Sequence, residues 1–145
     1  MIKTFHGQHA FLSNFHPSKI EFEGIVYPTV EHAFQAAKTN CKETRQKIAD
    51  KDTPGKAKRA GGKRGILPDF DFNTWEAKKI TTMYALCKAK FQIPELRAQL
   101  EATGDQELQE GNNWNDTFWG VSNKTGKGKN TLGKILMKIR TDNRA

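Results

Sequence analysis

The chain has 145 residues, 36% hydrophobic and 10% aromatic, enough to build the core of one soluble domain. Its 24 Lys and Arg against 16 Asp and Glu leave a net charge of +8, so it should attract anions: phosphorylated small molecules, nucleotides or nucleic acid. No run approaches the roughly 18 apolar residues of a membrane span, the first five residues lack a signal-peptide core, and two widely separated cysteines, Cys41 and Cys87, argue against a disulfide scaffold or zinc ribbon and suit a reducing cytoplasm.

In chain order, residues 11–15 form an apolar run interrupted by Ser13 and Asn14. These two are either turn residues that hydrogen-bond their own backbone or polar groups at the mouth of a pocket. Residues 20–23 alternate at period two, Gly24 offers a turn, and Val26 and Tyr27 return, which predicts a β-hairpin. Thr29 then caps a helix expected over 30–38. Val30, Ala33, Phe34 and Ala37 fall at i, i+3, i+4 and i+7, a core-facing stripe. Beside them Glu31, Gln35 and Lys38 form a polar stripe at i, i+4 and i+7, either a solvated face or the floor of a site.

A weaker helix is predicted over 43–49. Thr53 and Pro54 read as cap and first position of a short basic helix ending at Gly61 and Gly62. Thr74 is the expected cap of the longest helix, 75–91, with Ile80, Met83, Tyr84, Cys87 and Phe91 on its apolar face and Trp75 off it. Pro94 opens a helix to Ala102, closed by Thr103, Gly104 and Asp105. Residues 108–111 and 117–121 read as short strands, and Leu132, Ile135, Leu136 and Ile139 form the core face of a last helix over 130–140. The sum is α+β: one compact, mostly helical domain over 1–145 with short N-terminal and central strands.

The chemistry narrows by exclusion. The four histidines and two cysteines have no metal-ligand spacing, so no metal is expected. There is no Gly-x-Ser-x-Gly elbow for a covalent hydrolase, and no cofactor is expected. The glycine-rich residues 126–129 match neither a Walker loop nor a dinucleotide fingerprint. Their amides, flanked by Lys127 and Lys129 before the last helix, are either a plain turn or an anion cradle. Basic stretches at 56–64 and 124–138 offer a surface to DNA or RNA, although no recognisable nucleic-acid module is present. Asp116 stands between Trp114 and Trp119, either in a turn beside core tryptophans or in an aromatic-walled pocket. Two carboxylates, Glu31 and Asp116, with stacking aromatics and lysines are what cleavage of a glycosidic bond needs. The departing base takes a proton, and the cationic sugar needs a nearby negative charge.

Five motifs then occur in one order: Phe11-Leu12-Ser13-Asn14-Phe15, Tyr27-Pro28-Thr29-Val30-Glu31-His32-Ala33-Phe34-Gln35-Ala36-Ala37-Lys38, Thr103-Gly104-Asp105, Asp116-Thr117-Phe118-Trp119-Gly120, and Gly128-Lys129-Asn130-Thr131-Leu132-Gly133-Lys134-Ile135-Leu136-Met137. In this order they resemble the NADAR family, the YbiA-like N-glycosidases, over nearly the whole chain. The resemblance implies a mostly helical α+β domain that cleaves N-glycosidic bonds of ribosylated substrates, either ADP-ribose on guanine bases or phosphoribosylamino-pyrimidine intermediates of riboflavin synthesis. It implies catalytic roles for Glu31, Lys38 and Asp116, and substrate contacts from Ser13, Asn14, Gln35, Trp75, Trp119, Gly120 and Asn130. One departure is plain: the family's Asp-Trp at the start of the long helix is here Thr74-Trp75, after an extended Asp69-Phe70-Asp71-Phe72-Asn73, so the pocket wall by Trp75 is expected to differ.

Overall fold

The structure, a computed structural model, describes residues 1–62 and 67–145; Lys63 and Arg64, which end the first basic stretch, lie outside the described residues. It is α+β and mostly helical, as expected. The chain forms two compact units, residues 14–90, and residues 1–13 together with 91–145. No helix among the described residues is long and apolar enough to cross a membrane.

The 14–90 unit begins with the predicted hairpin. Strands β1 (Ile20–Phe22) and β2 (Ile25–Tyr27) pair antiparallel with Ile20 opposite Tyr27 and Phe22 opposite Ile25. Glu23 and Gly24, at φ 49° and 88°, both take the left-handed backbone conformation of a two-residue turn whose twist matches that of the flanking strands. Helix α1 (Val30–Ala36) follows, two residues shorter than expected: Ala37 is its C-cap and Lys38 lies beyond its end. Thr29 caps it, accepting from the His32 amide at 3.1 Å, and the Asn14 carbonyl takes the Glu31 amide. His32 is buried and bridged at both ring nitrogens, to the Thr29 hydroxyl at 2.7 Å and the Lys51 carbonyl at 3.0 Å. A carbonyl only accepts, so Nε2 donates to Lys51. His32 thus pins α1 to Lys51, two residues past the end of α2 (Lys42–Ala49).

Helix α3 (Pro54–Ala60) starts where the sequence places it, with the Thr53 hydroxyl accepting from the Lys56 amide and Pro54 at the first position. Helices α2 and α3 pack on α1, as does α4 (Phe72–Lys90). The start of α4 corrects the expectation. Asp71, not Thr74, is the capping residue: its Oδ2 accepts from the Thr74 amide at 2.9 Å and the Thr74 hydroxyl at 2.6 Å, and these bonds hold its carboxyl below the usual range. The buried face also differs from the expected stripe. Trp75, Met83, Leu86 and Cys87 are buried, whereas Ile80 is exposed and Lys90, in the last turn, is buried. Burial pushes the Cys87 thiol up to about 12 and the Lys90 ammonium down to about 8, so Cys87 stays protonated at neutral pH and is no nucleophile.

The other unit holds a 3-10 helix (Gly7–Leu12), α5 (Pro94–Ala102) and α6 (Thr131–Asn143). Strands β3 (Gly111–Asn112) and β4 (Val121–Ser122) pair in parallel, shorter and later than the strands expected at 108–111 and 117–121; Leu108 instead makes an isolated bridge to Ile2. The start of α6 is zipped to residues 117–120. The amides of Lys129, Asn130, Thr131 and Leu132 donate to the carbonyls of Thr117, Gly120, Phe118 and Trp119. The turn before it is tied the same way, with the Gly126 amide on the Ser122 carbonyl. These bonds overturn the anion-cradle reading, because the donors that would hold an anion already hold backbone oxygens. Gly128 permits the approach: at φ 153°, a Cβ there would lie 2.2 Å from the Gly120 carbonyl oxygen and 2.8 Å from the Val121 Cα. Gly128→Ala is therefore expected to cost more than about 3 kcal/mol or to prevent folding, since backbone and not a flexible side chain must give way. Urea denaturation beside Gly126→Ala, whose Cβ meets nothing within 4 Å, separates steric overlap from the φ penalty alone.

Candidate active site

The polar stripe of α1 is not a solvated face. Helix α1 is buried along its whole length, and Glu31 and Gln35 are only 8% and 5% exposed. A carboxylate at that depth needs a hydrogen-bond donor. Gln35 provides it: i+4 spacing brings its Nε2 to 2.6 Å from Glu31 Oε2. The other end of the Gln35 amide, Oε1, is buried against Gly61, the C-cap of α3, with no partner among the described residues. The fit leaves no space for a side chain at position 61, where a Cβ would fall 2.0 Å from Gln35 Oε1 and 2.8 Å from Gln35 Cβ.

Lys38, just past the helix, turns its ammonium to the same place. Its Nζ donates to the Gly61 carbonyl at 3.1 Å and sits 5.9 Å from the centroid of the Trp75 ring. Desolvation by burial lowers its pKa; the Glu31 carboxylate pushes it back up, and Lys58 pushes it down. Trp75 is buried and packs on Phe34 at 4.9 Å between ring centroids, so the core face of α1 positions the indole while the adjacent face carries the polar groups. Within the 14–90 unit the fold thus brings Glu31, Gln35, Lys38 and Trp75 together. Asn14, in the same unit, contributes its carbonyl to the start of α1. Its side chain is engaged with sulfur, donating to Met83 Sδ at 3.5 Å and accepting from the Cys87 thiol at 3.8 Å.

Ser13, Asp116, Trp119, Gly120 and Asn130 lie in the other unit. There the structure gives most of them backbone tasks. Asp116 Oδ1 accepts from the amides of Phe118 and Trp119, the turn reading of this residue, and Trp114 beside it is 57% exposed. The Asn130 side chain is used at both ends, accepting from the Glu110 amide and donating to the Leu108 carbonyl. Gly120 lets Glu110 and Asn112 approach its Cα closely. The Ser13 amide closes the 3-10 helix on the Ala10 carbonyl. Gly61 and Lys58 escape sequence reading as neighbours of Lys38, because only the packing of α3 on α1 brings them there; Lys78 stands beside Trp75 through its i, i+3 spacing on α4. Among the described residues, no three His, Cys, Asp or Glu side chains gather as metal ligands.

Two outcomes check this geometry. Gly61→Ala drives Gln35 off Glu31 and lowers stability by about 2–3 kcal/mol in urea denaturation. Competitive acetylation across pH, read by peptide mass spectrometry, gives Lys38 a midpoint below that of the exposed Lys56. Glu31→Gln moves the Lys38 midpoint further down, because it removes the neighbouring negative charge that favours the ammonium.

The NADAR domain matches residues 2–144. The N-glycosidase YbiA of Escherichia coli is 40% identical over 129 residues, covering 88% of this chain and 78% of YbiA. A riboflavin biosynthesis protein of Vibrio vulnificus is 33% identical over 135 residues; the match covers 92% of this chain but only 35% of that protein. The NMR structure of Escherichia coli YbiA superposes with a TM-score of 0.81 at 35% identity, covering 99% of this chain and 87% of that one. The chain belongs to the NADAR domain family.

Proposed function

We propose that this NADAR domain, a glycosidase like its named relatives, hydrolyses the N-glycosidic bond between a ribosyl group and a base. The observation that carries the reading is Glu31: a carboxylate inside a buried helix, oriented by the Gln35 amide, beside a lysine whose ammonium is destabilised by burial. Glu31 positions water or transfers the proton that the departing base takes. Lys38 has two open roles. As an ammonium it pairs with substrate phosphate or with Glu31. As a neutral amine it attacks C1 of the opened sugar, where the base nitrogen is still attached; the base leaves with a proton, a C=N bond to Lys38 remains, and water hydrolyses it to free the sugar and the amine. The lowered pKa of Lys38 favours the second role by raising the neutral fraction at a given pH. The resemblance assigns Asp116 to the ribosyl cation or the sugar hydroxyls, and Trp75 and Trp119 to the pocket walls.

The lead substrate is ADP-ribose attached to guanine in nucleic acid or a nucleotide, supported by the charge of +8, since a polyanion gains from a basic surface. The phosphoribosylamino-pyrimidine of riboflavin synthesis is the second reading, favoured by the name of the Vibrio relative. Both present a phosphorylated ribose on nitrogen to the same groups. No metal or cofactor enters the scheme. A cytoplasmic setting belongs to the same reading and suits the two free thiols.

Incubation with guanine-ADP-ribosylated DNA and, separately, with the riboflavin precursor, following release of ADP-ribose or ribose 5-phosphate, decides between the substrates. Glu31→Gln is expected to reduce turnover by roughly 10²-fold or more while keeping ligand affinity. Failure on both sinks these two substrates and leaves the N-glycosidase reading; a wild-type protein that binds ADP-ribose and releases nothing from any ribosylated substrate is a binding module. Borohydride added during turnover is expected to trap a sugar adduct on the peptide carrying Lys38; trapping that survives Lys38→Met overturns the amine's assignment.

A further inference from the structure

We propose that the loops at 113–116 and 123–129 form a docking surface for single-stranded nucleic acid, on which the Trp114 indole stacks a base and Lys124, Lys127 and Lys129 hold phosphates. The two loops leave one parallel ladder side by side. Strand β3 pairs with β4 in a fixed register, Gly111 beside Val121 and Asn112 beside Ser122. The pairing runs one residue further. The Asn123 amide donates to the Asn112 carbonyl at 2.8 Å, and its side chain donates to the Asn113 side-chain oxygen at 3.0 Å. Trp114 and Lys124 are the next residue on each side, so an aromatic ring and an ammonium start from neighbouring backbone. The chain after Lys124 then folds back. The Ser122 amide donates to the Lys127 carbonyl, the Lys124 amide to the Ser122 hydroxyl at 3.2 Å, and the Lys129 amide to the Thr117 carbonyl. Local bonds thus hold all three lysines on one short turn, with Lys129 Nζ 5.6 Å from the centroid of the Phe118 ring.

Exposure and charge give the class of partner. Residues 123–129 are all exposed, and Trp114 is 57% exposed. The backbone amides of this turn are spent on carbonyls, but its ammoniums are not neutralised. Lys124, Lys127 and Lys129 make no ion pair among the described residues, whereas Lys138, further along the chain, is paired with Asp142 at 3.3 Å. Between residues 111 and 130 the three lysines meet one carboxylate, Asp116, whose Oδ1 accepts from two amides. A polyanion matches that surplus, and an exposed indole beside it offers a face on which any base can stack. A duplex hides its base faces, so the partner is single-stranded. An anionic membrane fits less well. Trp114 is the only large apolar side chain that this segment exposes. One ring stacks a base, whereas lying on a membrane takes an apolar face several residues wide. The surface belongs to the unit that does not carry Glu31, and its ligand is an unmodified strand, so it goes beyond the N-glycosidase reading and does not rest on it.

The test follows the fluorescence anisotropy of a labelled, unmodified oligothymidine of about 20 nucleotides titrated with the full chain. The chain is expected to bind it more tightly than a duplex of the same length. Trp114→Ala and Trp114→Leu weaken binding about tenfold, and Trp114→Phe keeps most of it, because stacking needs a ring face and not merely apolar area. For three phosphate contacts, log affinity falls against log salt with a slope of about −2, and the double variant Lys124→Gln, Lys127→Gln reduces the slope to about −0.7. Lys138→Gln leaves the slope in place. Tighter binding of the duplex, wild-type affinity in Trp114→Leu, an unchanged slope in the double variant, or no binding of the oligonucleotide overturns the proposal. Trp114-dependent binding to phosphatidylserine vesicles without binding of the oligonucleotide assigns the surface to a membrane and overturns it equally. The two readings fail separately. Cleavage of a ribosylated nucleotide by a chain whose oligonucleotide binding ignores Trp114 removes the surface and leaves the glycosidase. Trp114-dependent strand binding without release of sugar from any ribosylated substrate keeps the surface and removes the glycosidase.

Discussion

The structure of the 14–90 unit depends on keeping one carboxylate inside a helix that water does not reach. Glu31 sits on α1 among residues that are all buried, and an ion in such a place is stable only when hydrogen-bonded and balanced by charge. Gln35 donates from the next turn, and Lys38 brings a positive charge from just beyond the helix. Each supporting group restricts another. Gln35 occupies the space that a side chain at Gly61 would need, and the Gly61 carbonyl receives Lys38. A glycine at the end of α3 is therefore a condition for the acid on α1. Burial at this level is costly to a simple surface helix, and it is what gives a carboxylate and an amine properties they lack in water.

The scaffold around this group is stiff because its own polar groups are used locally. Thr29 caps α1 and also hydrogen-bonds the ring of His32, which reaches across to the Lys51 carbonyl. The Asn14 carbonyl accepts the Glu31 amide. The backbone of the acid itself is thus held, and its side chain is held again by Gln35. Arg45, buried on α2, donates to the Thr39 carbonyl and to Glu23 in the hairpin turn, and Asp69 accepts from the Thr39 hydroxyl and the Asn40 amide. These bonds secure the segment that carries Lys38 away from α1. Catalytic groups supported on a helix and on short, hydrogen-bonded connections keep their geometry better than groups on open loops.

The other unit shows how far a local signal can mislead. Glycines and lysines ahead of α6 look like an anion site, yet four successive amides, from Lys129 to Leu132, are spent on carbonyls of residues 117–120. The glycines are there for close backbone approach. Two ammoniums, those of Lys38 and Lys78, instead lie 5.9 Å from the Trp75 ring in the 14–90 unit.

The sequence by itself determined the elements that are set by neighbours along the chain. Caps at Thr29 and Thr53, proline starts at Pro54 and Pro94, the turn at Gly24 and the apolar stripe of α6 were all legible, because each depends on bonds or spacing within a few residues. The motif order also identified the family, and the i, i+4 spacing of Glu31 and Gln35 put those two side chains in contact. Other features were decided only by tertiary structure. Whether that face met water or core, which acid capped α4, which side of α4 was buried, and whether the amides before α6 were open all turn on groups distant in sequence. Spacing alone cannot tell a solvated ion-pair face from a buried acid with its donor, since both obey the same helical period; only the packing of α2, α3 and α4 around α1 separates them.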